Sequence, residues 1–180
     1  YVSPSANGTR SKVCVKAASC GGESQALGTG GAIAFALPHI TTPITVILNG
    51  DTLFFAAIVP AIEKLSADES FDGFIFARPI NDTSRYGSLK VDNGMLKSFQ
   101  EKQPGSGLIN GGIFAFRTEW LRRNMPSGAA SMEIDILPRL LTEGAHIGVM
   151  ECDVPFIDIG TPESLAEADR FVVAHQERFY

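Results

Sequence analysis

A short apolar run rich in β-branched residues, Ile44–Leu48, constrains this chain most strongly, and a turn follows it at Asn49-Gly50-Asp51. A run of this kind is typical of a strand that is buried on both faces of a sheet. Phe74–Ala77 has the same character, and a helix over about Pro60–Leu65 is predicted between the two runs. Strands that alternate with helices in this way predict an α/β fold.

The rest of the chain continues this alternation and adds an antiparallel unit. Two apolar segments flank Asp92-Asn93-Gly94, a hairpin turn signal because Asn and Gly tolerate positive φ. A last helix is predicted to open at Thr161, which can cap it, with Pro162 in its first position. We therefore expect a mixed sheet. The other predicted helices are Ala32–Leu37, Glu119–Asn124 and Met132–Glu143, the last capped by Ser131 and ended by Gly144. The other predicted strands are Ser88–Val91, Met95–Glu101, Ile113–Phe116, Ile147–Cys152 and Phe156–Ile159. On the last helix, a buried apolar stripe is predicted from Leu165, Ala168, Phe171, Val172 and Phe179.

The size and charge of the chain argue against two classes of partner. Its 180 residues fit one domain, and 15 Lys and Arg against 20 Asp and Glu give a net charge of −5. A broad basic surface for nucleic acid is therefore not expected. No apolar run approaches the roughly 18 residues that a membrane-spanning helix needs. We expect neither nucleic acid nor membrane as a partner, and the sequence leaves a homo-oligomer open.

Composition divides the chain into two parts. Residues 1–26 are rich in Ser, Gly, Ala and Asn without clear periodicity and are predicted to be an irregular leader, whereas residues 27–180 form the predicted domain. The cysteines Cys14, Cys20 and Cys152 are odd in number and match no common zinc spacing. Neither a disulfide framework nor a structural metal site follows, so a reducing, cytoplasmic location is expected.

Two carboxylates stand where ligands of α/β proteins bind, beyond the carboxyl ends of strands. Asp51 follows the Ile44–Leu48 strand, and Asp158 lies in an apolar strand that runs into Gly160. A carboxylate in such a segment is costly to bury unless it is paired, hydrogen-bonded or bound to a cation. Two of them suit a shared Mg²⁺ that also binds phosphate. Alternatively, each Asp only caps the turn that follows it.

Glycines precede the first predicted helix. Gly28-Thr29-Gly30-Gly31 could bring backbone N–H groups close to an anion or to the edge of a base. The segment lacks the Lys-Ser/Thr end of a P-loop and the spacing of a dinucleotide fingerprint. A plain turn therefore remains the alternative.

Polar residues around the predicted hairpin are further candidates for ligand binding. Glu101 and Asn110 could bind sugar hydroxyls, and Lys102 could neutralise a phosphate. Gly87, which follows Tyr86, could present its backbone N–H to a ligand. The alternatives are a solvated charged pair, a loop Asn and the start of a strand.

Together and in this order, these motifs resemble the sugar-phosphate nucleotidylyltransferase family, and within it the guanylyltransferases that act on hexose and heptose 1-phosphates. The resemblance covers Leu27 to about Val173. The motifs that carry it are Leu27-Gly-Thr-Gly-Gly-Ala, Leu48-Asn-Gly-Asp-Thr, Tyr86-Gly, Glu101-Lys, Asn110-Gly-Gly-Ile-Phe and Phe156-Ile-Asp-Ile-Gly-Thr-Pro.

The resemblance implies a fold, a reaction and a set of roles. The fold would be a Rossmann-like (GT-A-like) three-layer mixed sheet. The sugar 1-phosphate would attack the α-phosphorus of a nucleoside triphosphate, with GTP favoured, and release pyrophosphate with the help of Mg²⁺. The resemblance implies catalytic roles for Asp51, Asp158 and Lys102, with Mg²⁺ held by Asp51 and Asp158. The implied nucleotide-binding residues are Leu27, Gly28, Thr29, Gly30 and Gly31. The implied sugar-binding residues are Tyr86, Gly87, Glu101 and Asn110.

One departure from the family's pattern limits this expectation. The family begins with a strand and a Gly-x-Gly-Thr-Arg loop that cradles the triphosphate, and here Asn7-Gly8-Thr9-Arg10 is only a coincidental match. We therefore expect the C-terminal portion of the domain, with impaired turnover. The alternatives are a non-catalytic sugar-phosphate- or nucleotide-binding remnant and a glycosyltransferase, although Asp51-Thr52-Leu53 lacks the Asp-x-Asp pattern common in that class.

Overall fold

The computed structural model describes residues 27–100, 102 and 104–178, and within them most of the predicted elements form. The strands are β1 (Ile44–Leu48), β2 (Thr52–Phe54), β3 (Gly73–Ile80), β4 (Ser88–Asp92), β5 (Met95–Gln100), β6 (Gly107–Arg117), β7 (Ile147–Glu151) and β8 (Phe156–Asp158). The helices are α1 (Gly28–Ala36), α2 (Val59–Ala67), α3 (Thr118–Asn124), α4 (Leu137–Thr142), α5 (Pro162–Leu165) and α6 (Ala168–Ala174). A π-helical turn, Met132–Ile136, precedes α4, and 3₁₀ turns cover Leu37–His39 and Gln176–Arg178.

The strands form one large mixed sheet and one small pair. The large sheet has the order β1-β6-β3-β7-β5-β4, and β4 also pairs with β6. Strands β3 and β7 are parallel, and the other pairs are antiparallel. Strands β2 and β8 form a separate antiparallel pair. The mixed sheet predicted from the sequence is confirmed.

Helices cover both faces of the large sheet. On one face, Leu65 of α2 packs with Phe74 and Phe76 of β3. On the other face, Ile75 of β3 lies in a larger buried cluster with residues of α1, α3 and α4. The alternation along β3 is that of a strand whose side chains point to opposite faces. The result is the three-layer arrangement that the family resemblance implies.

The hairpin prediction is also correct. Strands β4 and β5 pair across Asn93 and Gly94, whose φ angles are 50° and 73°. Both residues therefore occupy the left-handed region that a tight two-residue turn requires. This hairpin extends the sheet beside β6 and β7.

The expectation that Ile44–Leu48 is buried on both faces is wrong for β1, although the strand itself forms. Within the described residues β1 pairs only with β6, and Leu48 is 61% exposed. The apolar run therefore identified a strand but not its place in the sheet. The same kind of run at β3 is central, and Phe74, Ile75, Phe76 and Ala77 are fully or almost fully buried.

The last predicted helix differs most from the expectation. Thr161 caps it as predicted, in a capping box with Ser164, but the helix is split into α5 and α6, and neither contains a buried residue. Leu165 is 57% exposed, whereas Phe171 stacks on Phe55 at 5.8 Å between ring centroids. The segment thus packs on the loop after β2 rather than along the sheet, and Phe179 lies outside the described residues.

No helix in the described part of the chain is long and apolar enough to cross a membrane.

Candidate functional site

The functional candidates gather at one edge of the large sheet. Strands β1 and β3 are both antiparallel to β6, and β3 is parallel to β7, so the carboxyl ends of β1, β3 and β7 share this edge. Asp51 follows β1, and Glu151 ends β7 opposite Ala77 of β3. Asn110 of β6 pairs with Ala77 from the other side. This is the edge at which ligands of open α/β sheets bind.

The β2–β8 pair brings Asp51 and Asp158 together from distant parts of the chain. Asp158 lies opposite Thr52, and the Ile159 backbone N–H donates to the Asp51 carbonyl oxygen at 2.8 Å. A methyl group placed on Gly160 would lie 3.0 Å from Asp158 Oδ1 and 3.4 Å from Asp51 Oδ2. Both carboxylates therefore border the same small space beside Gly160.

This donor set fits a cation that phosphate helps to bind. Among the described residues, no group of three or more His, Cys, Asp or Glu side chains could hold a metal ion alone. Mg²⁺ is commonly bound by one or two carboxylates together with substrate phosphates and waters. Asp51 is exposed and Asp158 is half-buried, so oxygen atoms of a ligand could complete the coordination.

A further carboxylate, Glu133, lies close enough for its charge to interact with that of Asp51. Its Oε1 accepts a hydrogen bond of 2.6 Å from Asn110 Nδ2. Burial and, to a lesser extent, the Asp51 charge raise the pKa of the Glu133 carboxyl, opposed by the Asn110 hydrogen bond. Glu133 is not among the residues predicted from the sequence, because an acid two residues after the capping Ser131 is typical of an ordinary helix first turn.

Asn110 is fixed by both ends of its amide. Besides the bond to Glu133, its Oδ1 accepts from the Gly112 backbone N–H at 2.9 Å. The pairing register between β3 and β6 shifts at this point, and Gly112 has a φ of 75°. The Gly112 carbonyl oxygen accepts a hydrogen bond from the Asn49 backbone N–H at 2.8 Å. This irregularity in β6 connects Asn110 to the turn that carries Asp51.

The glycine segment belongs to α1 rather than to a separate turn. Helix α1 begins at Gly28, four residues before the predicted start. The Gly30 and Gly31 N–H groups both donate to the Ala130 carbonyl oxygen, at 2.8 and 3.4 Å, and Thr29 Oγ1 accepts from the Met132 backbone N–H at 2.9 Å. The backbone of residues 128–130 lies so close to the start of α1 that side chains at Gly28, Gly30 and Gly31 would collide with it or with its neighbours, which explains these glycines. Leu27 flanks the glycine segment, and its carbonyl oxygen accepts from the Ala130 backbone N–H.

Of the residues predicted to bind the sugar, Tyr86 is the one that lines a cleft of about 800 Å³ in the described part of the chain. The Tyr86 ring lies 6.3 Å from that of Phe156, and Gly87 is the exposed residue beside it. Asn110 follows Ile109, which also lines the cleft. Lys102 is exposed on the segment between β5 and β6, and Glu101 lies outside the described residues.

Comparison with known proteins identifies the family. The sequence profile described as "Nucleotidyl transferase" matches residues 6–175. The chain belongs to the nucleotidyl transferase family. The matched range includes both Asp51 and Asp158, and it extends into residues 1–26.

Two relatives with high similarity are both D-glycero-α-D-manno-heptose 1-phosphate guanylyltransferases. The protein from Aneurinibacillus thermoaerophilus is 32% identical over 149 residues, which is 82% of this chain and 64% of the relative. The protein from Campylobacter jejuni is 36% identical over 146 residues, covering 78% of this chain and 61% of the relative. The chain thus spans somewhat less than two thirds of the length of these nucleotidyl transferases.

The fold agrees with solved structures of the family. HddC from Yersinia pseudotuberculosis superposes with a TM-score of 0.71 at 32% identity, covering 83% of this chain and 64% of that protein. The same protein complexed with GMP-PN gives the same TM-score at 33% identity. The Rossmann-like fold predicted for this nucleotidyl transferase chain is confirmed.

Proposed function

We propose that this chain carries the metal-binding and acceptor-binding parts of a sugar-1-phosphate nucleotidylyltransferase. The observation that carries the proposal is the convergence of Asp51 and Asp158 beside Gly160, next to a cleft lined by Tyr86 and Phe156. GTP is favoured as the donor because two relatives at 32% and 36% identity are guanylyltransferases. The solved complex of HddC with GMP-PN supports the same choice.

The reaction follows from the chemistry of the two reactants. An oxygen of the sugar 1-phosphate attacks the α-phosphorus of the triphosphate, one P–O bond forms, and the bond between the α-phosphorus and the bridging oxygen to the β-phosphate breaks. Pyrophosphate leaves, and the product is a nucleoside diphosphate sugar. Both reactants are polyanions, so the protein has to align them and screen their charges.

Asp51 and Asp158 would hold the divalent cation, which we propose to be Mg²⁺. When bound, Mg²⁺ neutralises phosphate charge and orients the phosphate oxygens. The protein contributes the fixed positions of the two carboxylates, which the short β2–β8 pair and the Ile159–Asp51 backbone bond maintain. Lys102 is proposed to supply a second positive charge near the sugar phosphate.

The remaining predicted residues receive proposed binding roles. The proposed sugar contacts are Tyr86, Gly87, Glu101 and Asn110. Tyr86 is the one of these that lines the cleft in the described part of the chain. Leu27, Gly28, Thr29, Gly30 and Gly31 would border the nucleoside. Because the Gly30 and Gly31 N–H groups already donate to Ala130, their contribution would be shape rather than direct hydrogen bonding.

We also propose a cytoplasmic location. Cys152 is a free thiol and is half-buried at the end of β7, which suits a reducing compartment. Nucleoside triphosphates and sugar phosphates are the proposed partners, and neither requires a basic or membrane-binding surface.

Calorimetry of the full chain tests the proposal. GTP and α-D-mannose 1-phosphate are titrated with and without Mg²⁺, and Asp51→Asn and Asp158→Asn are each expected to weaken Mg²⁺-dependent binding at least tenfold. Asp169→Asn, on the exposed surface of α6, is the matched control and should bind like the wild type. No Mg²⁺-dependent binding of either ligand by the wild type would contradict the proposal.

A further inference from the structure

Arg78 has an unusual position in the cleft beside the two aspartates. It follows Ala77 on β3, and its guanidinium lies over the Phe156 ring, with 5.6 Å between Cζ and the ring centroid. Among the described residues, Arg78 Nε is the one buried side-chain nitrogen or oxygen without a hydrogen-bond partner. Its Nη1 makes only a long contact of 3.4 Å with the Phe156 carbonyl oxygen.

An unpaired buried N–H group costs free energy and calls for an explanation. Here Arg78 lines an open cleft of about 800 Å³, into which a ligand oxygen can enter. Arginine presents its N–H groups in a fixed fork, so a pair of oxygens from one ligand could satisfy it. The Arg78 side chain is therefore set to bind a ligand rather than a neighbouring residue.

The charges around Arg78 indicate which ligand fits. Among the described residues, three carboxylates, Asp82, Glu151 and Asp153, line the same cleft, and Arg78 is its one cation. Asp82 is engaged by the Ser84 backbone N–H and hydroxyl, whereas Glu151 and Asp153 are exposed at the carboxyl end of β7. An excess of negative charge disfavours a polyanion. Hydroxyl groups suit this mixture, because each can donate to a carboxylate and accept from the guanidinium.

We propose that Arg78, Glu151 and Asp153 recognise the hydroxyl groups of the acceptor sugar and select a sugar that carries no anionic group beyond its 1-phosphate. The inference rests on the proposed function and deepens it by naming the class of acceptor. Phe156 and Tyr86 form the aromatic wall of this subsite. The 1-phosphate lies toward Asp51 and Asp158, since Phe156 and Asp158 are two residues apart on the same face of β8.

Calorimetry with three probes tests the role of Arg78 in the full chain with Mg²⁺. The probes are α-D-mannose 1-phosphate, α-D-mannose 1,6-bisphosphate and methyl phosphate, which has no sugar. Arg78→Met is expected to weaken mannose 1-phosphate binding at least tenfold and to leave methyl phosphate binding unchanged. In a separate titration without Mg²⁺, Mn²⁺ serves as a probe of the metal site and should bind the variant as it binds the wild type. The control Arg85→Met removes a neighbouring arginine, which contacts Tyr86 from outside the residues that line the cleft, and should change each affinity less than twofold.

A second variant tests charge selection without changing Arg78. The wild type should bind the bisphosphate at least tenfold more weakly than the monophosphate, and the double variant Glu151→Gln/Asp153→Asn should bring this ratio close to one. An unchanged ratio would overturn the charge selection. Equal losses of mannose 1-phosphate and methyl phosphate in Arg78→Met would assign Arg78 to the phosphate and overturn its sugar role.

The two proposals can fail separately. If the wild type binds mannose 1-phosphate with Mg²⁺ and Arg78→Met binds it equally well, the assignment of Arg78 fails while the proposed function stands. If the wild type binds neither mannose 1-phosphate nor GTP, both proposals fail. Loss of Mn²⁺ binding in Arg78→Met would show that the arginine only holds β8 in place, which also overturns its assignment as a sugar ligand.

Discussion

Asn110 and Glu133, on β6 and on the π-helical turn before α4, are joined by a hydrogen bond of 2.6 Å from Nδ2 to Oε1. The other end of the Asn110 amide accepts from the Gly112 backbone N–H, so this side chain connects the sheet to the helical layer. The contact also places a partly buried carboxylate within range of the Asp51 charge. The stability and the charge state of this region are therefore coupled.

The first prediction concerns the pH dependence of stability through Glu133. Burial raises the pKa of Glu133 above its ordinary value of 4.5, so the folded protein holds this proton more tightly than the unfolded chain does. The contribution of this group to stability is full below pH 4.5 and is lost as the pH rises through the folded-state pKa. Glu133→Gln keeps an oxygen acceptor for Asn110 and removes the buried charge. The melting temperature of this variant relative to wild type should rise between pH 4.5 and 8.

The measurement is thermal unfolding in EDTA at several pH values, followed by circular dichroism. Glu69→Gln is the matched control, because Glu69 is exposed in the turn after α2 and its variant should follow the wild-type profile. If the difference between Glu133→Gln and the wild type stays constant across this range, Glu133 does not titrate with a raised pKa.

The second prediction concerns Asn110 as a structural link. Asn110→Ala leaves the buried Gly112 N–H without its acceptor and Glu133 Oε1 without its donor. Loss of a partner costs about 1–3 kcal/mol for a buried polar group. Because Glu133 is only half-buried, its contribution is at the low end, and the free energy of unfolding should fall by about 2–4 kcal/mol in total. Urea unfolding measures this change. Asn124→Ala, whose amide donates to the Trp120 carbonyl oxygen within α3, should cost less than about 1 kcal/mol.

The third prediction separates metal binding from stability at Gly160. A Cβ there would lie 3.0 Å from Asp158 Oδ1 and 3.4 Å from Asp51 Oδ2, between the two carboxylates. Gly160→Ala should therefore weaken Mn²⁺ binding about tenfold, which is about 1.4 kcal/mol, with little change in melting temperature. Gly50→Ala is the control in the same region, because its Cβ would meet no atom within 4 Å. Equal Mn²⁺ affinities for the two variants would mean that the aspartates do not act together beside Gly160.

Local sequence signals predicted most elements because each depends on neighbours along the chain. Asn93 and Gly94 fix a turn, Ser131 caps a helical segment, and Thr161 with Pro162 opens a short helix. These features need no information about distant residues. Local signals do not decide between kinds of helix. The predicted Met132–Glu143 helix begins with a π-helical turn at Met132–Ile136, and the α-helix starts only at Leu137.

Long-range placement could not be predicted in the same way. The apolar run of β1 resembles that of β3, yet one strand is central and the other pairs only with β6 in the described part of the chain. Asp51 and Asp158 were found because carboxylates after apolar strands stand out in the sequence. Glu133 and Arg78 were missed because their importance depends on burial and on a cleft that only the tertiary structure creates.

The last prediction concerns why α1 begins with glycines. A Cβ on Gly31 would lie 2.7 Å from the Gly128 carbonyl oxygen, a backbone atom that cannot move without shifting the loop. Alanine normally stabilises a helix interior by up to about 1 kcal/mol relative to glycine. Crowding should exceed this gain, so Gly31→Ala is expected to lower the free energy of unfolding by about 1–3 kcal/mol. Gly128→Ala, whose Cβ would meet nothing within 4 Å, should stay within about 0.5 kcal/mol of wild type in urea unfolding. A stabilised Gly31→Ala variant would show that the loop does not approach the helix closely, and the glycines would then need a ligand to explain them.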